Sequence, residues 1–88
     1  MEKVYLMSKV FTDRQNEIIK DNLRAFIYNF GEVRIEKADY GKGFYVFSPS
    51  TSIHYVQYCY DIHYLNGWLY GCVQAVNGMV KPIEKEGE

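Results

Sequence analysis

Apolar positions along the chain switch between a two-residue and a helical period, and each switch marks an element. Residues 3–11, KVYLMSKVF, alternate Val4, Leu6 and Val10 against Tyr5, Met7 and Phe11 and are rich in β-formers, which predicts a strand. The competing reading is a short helix, because Val4, Met7 and Phe11 also fit a 3.6-residue period. Thr12 followed by Gln15 is the spacing of a capping box, and Asp13 adds negative charge at a helix N-terminus. Ile19, Leu23, Phe26, Ile27 and Phe30 then share one stripe, while Arg14, Glu17, Lys20, Asp21 and Arg24 occupy the other faces. A helix over 13–30 follows, with Gly31 placed to end it.

From Glu32 to Lys37 the period returns to two, Val33 and Ile35 alternating with Glu32, Arg34 and Glu36, as in a strand with one wet face. Asp39, Gly41 and Gly43 supply a turn, and Phe44–Phe47 is apolar on both faces, which predicts a central strand. Pro49, Ser50, Thr51 and Ser52 break the run before Ile53–Tyr60 resumes a β-like composition, although that segment also reads as the start of a helix. Asp61 is a plausible N-cap for a second helix carrying Ile62, Leu65, Leu69, Cys72, Val73 and Val76 on one stripe, closed by Asn77-Gly78. The expected fold is α+β: a small antiparallel sheet of three to four strands packed with two helices, in the order β-α-β-β-β-α. A single domain is expected over 1–80, and residues 81–88, lacking any apolar pattern, read as a flexible tail.

Composition adds further constraints. With 48% hydrophobic and 17% aromatic residues, one core can be filled without staples. Cys59 and Cys72 do not make a disulfide framework, and no secretory signal precedes them, so reduced thiols and a cytoplasmic location are expected. The net charge of −1 lacks the basic excess that drives non-specific nucleic-acid binding. Its distribution is uneven: residues 2–39 carry seven basic and seven acidic side chains, and residues 43–80 carry only Asp61. His63, Asn66, Gln74, Asn77 and three glycines (67, 71, 78) interrupt the uncharged stretch 62–80, so no membrane span is expected there.

The second helix is the most informative part of that stretch. Opposite its apolar stripe lie Tyr64, Gly67, Gly71 and Gln74, with Ala75 at the edge, and none of them is charged. Interior glycines cost a helix about 1 kcal/mol each against alanine, with no return if that side meets only water. Three accounts of this face are open: packing within the monomer between the sheet and the first helix, contact with a protein partner or second copy, and a ligand cleft. Glycines four apart allow another backbone to approach closely, and Tyr64, Trp68 and Tyr70 bring large contact area with polar tips. The function expected is a non-enzymatic protein-binding module that contacts a protein partner or a second copy of itself as a homodimer, using Tyr64, Gly67, Trp68, Tyr70, Gly71, Gln74 and Ala75.

Catalytic and metal chemistry find little support. His54, Cys59, His63 and Cys72 are suitable ligand types for zinc, but H-x4-C-x3-H-x8-C matches no common structural site, and a helix sets His63 and Cys72 about 180° apart. A Cys59–His63 nucleophilic pair oriented by Asp61 lacks any recognisable oxyanion hole. There is no phosphate-binding glycine loop and no paired-carboxylate constellation. No catalytic residue, cofactor or metal is therefore expected.

Several short segments resemble known families. Val4-Tyr5-Leu6, Phe30-Gly31-Glu32-Val33, Lys42-Gly43-Phe44-Tyr45-Val46-Phe47 and Leu65-Asn66-Gly67 resemble parts of an RNA recognition motif. That resemblance implies base stacking on Tyr5, Tyr45 and Phe47, the alternative function. The chain departs from the motif in its longer first helix, in the length of the segment between Phe47 and Leu65, and in an aromatic strand one residue short. The order helix, three strands, helix is similar to a double-stranded-RNA-binding domain, whose second helix offers a basic N-terminus; here Asp61–Tyr70 holds no Lys or Arg. Tyr58–Gly71, YCYDIHYLNGWLYG, resembles small accessory proteins of phages and conjugative elements of Gram-positive bacteria. Such families are mostly uncharacterised, and some members of that class block host defence by binding an effector protein, so the resemblance implies a mobile-element context and not a chemistry.

Overall fold

The computed structural model of the protein describes residues 10–38 and 42–78. Helix α1 spans Asp13–Phe30 and begins on the anticipated capping box. Thr12 Oγ1 accepts from the Gln15 N–H at 3.1 Å, and Gln15 Oε1 accepts from the Thr12 N–H at 3.0 Å, so two amides without intrahelical partners are satisfied reciprocally. Gly31 ends the helix at φ 91°, donating its N–H to the Ile27 carbonyl at 2.8 Å. A residue with a Cβ would be strained there.

Three strands follow: β1 (Arg34–Lys37), β2 (Phe44–Phe47) and β3 (Gln57–Cys59), in an antiparallel meander with β2 in the centre. The register pairs Ile35 with Val46 and Phe44 with Cys59, and all four are buried on the core face. Arg34 opposite Phe47 and Tyr45 opposite Tyr58 point the other way. Helix α2 spans Ile62–Val76, capped by Asp61, whose Oδ1 accepts from the Tyr64 N–H at 2.8 Å.

The architecture is α+β, with the order α-β-β-β-α in the described residues. α1 packs mainly on α2, and α2 meets the sheet along β3. Ile19, Leu23 and Phe26 of α1 join Ile62, Leu65, Leu69 and Val73 of α2, together with Val33, Ile35, Phe44, Val46 and Cys59, in one continuous core. Across the helix pair, Asn22 Nδ2 donates to Asn66 Oδ1 at 2.9 Å, a partly buried bond that fixes how the two helices slide against each other.

Two expectations change in detail. Most of the strand anticipated over 3–11 lies outside the described residues, and its last two members, Val10 and Phe11, form a turn and a bend. Phe11 packs its ring 5.2 Å from that of Phe44, closing the core. The segment 53–60 forms neither a helix nor a full strand; only Gln57–Cys59 is paired. Val56 donates its N–H to the Val46 carbonyl at 2.8 Å while Gln57 is the register partner of Val46, so two residues face one and the ladder ends in a bulge-like step. Ile53, Tyr55 and Val56 before that step are exposed. The turn residues Asp39 and Gly41 and the tail 81–88 lie outside the described residues.

Candidate interaction surfaces

The outer side of α2 is uncovered by any other described residue. Tyr64, Gly67, Tyr70, Gly71 and Ala75 are exposed and Gln74 is half-buried. A Cβ built on Gly67 or Gly71 would find no neighbour within 4 Å beyond the helix's own backbone. Among the described residues, then, α1 and the sheet cover one side of α2 only, and packing within the monomer does not account for the glycine side. No Lys, Arg, Asp or Glu occurs from Ile62 to Gly78, so this face carries no formal charge.

Trp68 is placed differently from the other residues anticipated on this surface. Its indole is half-buried in the seam between the helices, with its ring centroid 5.7 Å from that of Phe26. Tyr64 sits at the open end of α2 and packs on the ring of Tyr60 at 4.9 Å. Tyr60 is itself exposed, so the pair carries the aromatic surface from α2 back to the end of β3.

A second aromatic surface covers the face of the sheet away from the helices. The rings of Tyr55 and Tyr58 lie 4.7 Å and 5.2 Å from that of Tyr45, which they flank. Phe47 packs edge-on to Tyr55 at 6.4 Å, and the Arg34 guanidinium lies 3.9 Å from the Phe47 centroid. Arg34 Nε also donates to Glu36 Oε2 at 2.8 Å, and Nη1 donates to the Ser50 and Ser52 carbonyls. Phe47 is therefore buried under Arg34 and the 48–56 loop, although no helix among the described residues lies on this side of the sheet.

This arrangement bears on the three residues that the RNA-recognition resemblance points to. Tyr5 lies outside the described residues. Phe47 is covered, and Tyr45 is half-buried with its ring committed to Tyr55 and Tyr58. The aromatics with open surface here are Tyr55 and Tyr58, beside the exposed Ile53 and Val56, and the sequence reading did not single these four out as a surface. The available signal was the interruption at Pro49–Ser52 just ahead of this segment.

The thiols and imidazoles form no metal-binding cluster among the described residues. Cys59 is fully buried on β3, and burial, reinforced by Cys72 and Asp61, pushes its thiol up to about 11. Burial also raises Cys72 on α2. A thiol so placed is protonated at neutral pH and a poor nucleophile. Asp61, the orienting carboxylate of the notional Cys59–His63 pair, is engaged as the α2 cap. His54 and His63 are exposed, and no group of three or more His, Cys, Asp or Glu among the described residues is arranged to hold a metal ion.

No helix among the described residues is long and apolar enough to cross a membrane. No family model, curated protein or solved structure matches the chain.

Proposed function

We propose that the protein is a non-enzymatic protein-binding module whose contact surface is the open face of α2, formed by Tyr64, Gly67, Tyr70, Gly71, Gln74 and Ala75. The observation that carries this reading is the empty space beside Gly67 and Gly71 on a helix face without charge. In water, two such glycines cost about 1 kcal/mol each relative to alanine, and no neighbour within the described chain offsets that cost. A partner packed against them would, because the missing side chains let its backbone or side chains approach to dispersion distance. Tyr64 and Tyr70 flank the small residues with area that needs little ordering on binding. The partner is a second copy of this chain or another protein. The resemblance of Tyr58–Gly71 to mobile-element accessory proteins favours an effector of host defence as that other protein.

The test is site-specific photocrosslinking in the producing cell. A photoreactive residue at Ala75 is expected to capture a protein, and the same residue at Arg24, on the charged and exposed side of α1, is expected not to. No capture from position 75, or equal capture from both positions, overturns the reading. Light scattering on the purified chain separates self-association from a heterotypic partner.

A further inference from the structure

No further inference is drawn: the strongest candidate, the aromatic patch of Tyr45, Tyr55 and Tyr58 on the outer face of the sheet beside the exposed loop residues Ile53 and Val56, is an unpartnered apolar face, and nothing in the structure shows what covers it.

Discussion

Arg34 and Phe47 face each other across the β1–β2 ladder, with the guanidinium 3.9 Å from the ring centroid. The same guanidinium holds Glu36 on its own strand and the carbonyls of Ser50 and Ser52 in the loop that follows β2. One planar cation thus stacks on an aromatic ring and fastens the 48–56 loop over the sheet. A cation–π contact contributes about 0.5–2 kcal/mol depending on desolvation, and hydrogen bonds to a charged group about 1.5–3 kcal/mol. Arg34 is partly exposed, which places the sum toward the low end. Arg34→Ala is expected to lower unfolding free energy by about 2 kcal/mol in a denaturant titration. Arg34→Lys should recover less than half, because an ammonium cannot stack and donate in several directions at once. An unchanged midpoint for the alanine variant would show that the loop is held by other means.

Gly43 and Tyr58 form a second close relationship, at the start of β2. Gly43 adopts φ +124°, and a Cβ built there would lie 2.7 Å from Tyr58 Cζ and 2.8 Å from the Cys59 carbonyl oxygen, besides striking the phenol oxygen. The phenol is not free to swing away without loss, since its O–H donates to the Lys42 carbonyl. Gly43→Ala is expected to cost about 1–3 kcal/mol from the backbone conformation alone, with the overlap added. Combining it with Tyr58→Ala relieves the ring contact but not the carbonyl contact or the backbone strain. The double variant should therefore fold less stably than Tyr58→Ala alone, a difference that thermal melting can resolve.

Elements whose cause is local were readable from the chain. Thr12, Gln15 and Gly31 fix both ends of α1, and Asp61 fixes the start of α2, because a cap depends on residues a few positions apart. Phe44–Phe47 read as a central strand since both its faces are apolar, and the structure pairs it on both edges. Features that depend on distant partners were not readable. Nothing near Arg34 in sequence shows that its side chain covers Phe47 and turns an apparent stacking residue into a buried one. Likewise Trp68 and Tyr70 are two residues apart with similar chemistry, and only the position of Phe26 decides that one enters the helix seam and the other stays outside. The open side of α2 is an intermediate case: helical period places Gly67 and Gly71 opposite the buried stripe, but whether something covers them is a tertiary question.

The Cys59 thiol should give stability a pH dependence on the alkaline side. Its folded value of about 11 stands above the ordinary 9.0, chiefly through burial and then through Cys72 and Asp61. Below pH 9.0 both folded and unfolded thiols are protonated and this contribution is fully present. As pH rises from 9.0 towards 11, the unfolded thiol ionises while the folded one resists, so the contribution is lost across that interval. The informative quantity is the difference between wild type and Cys59→Ala. The variant is expected to be less stable at neutral pH and to show a shallower decline above pH 9.0. Iodoacetamide at pH 8 should label the half-buried Cys72 well before Cys59. Parallel pH slopes for the two proteins, or faster labelling of Cys59, would show that the thiol is not held protonated by its surroundings.

Gly71 offers a test in which fold and function move in opposite directions. Since a Cβ at this position meets nothing within 4 Å beyond the helix's own backbone, Gly71→Ala should raise the stability of the monomer by about the helix-propensity difference, on the order of 1 kcal/mol. The same holds for Gly67→Ala. If the face instead receives a partner, each added side chain holds that partner away, and Gly71→Leu should abolish the complex while leaving circular dichroism and melting temperature at or above wild-type values, compared at a concentration where the wild-type chain is monomeric. Each alternative has a different signature. A glycine packed inside the monomer would make Gly71→Ala destabilising, contrary to the space seen beside it. A face that meets only water would make both substitutions stabilising with no effect on association, measured by sedimentation velocity at concentrations that bracket dimer formation. Only a partner at the glycines combines a more stable monomer with a weaker complex, and that pairing of signs is the outcome expected for this surface.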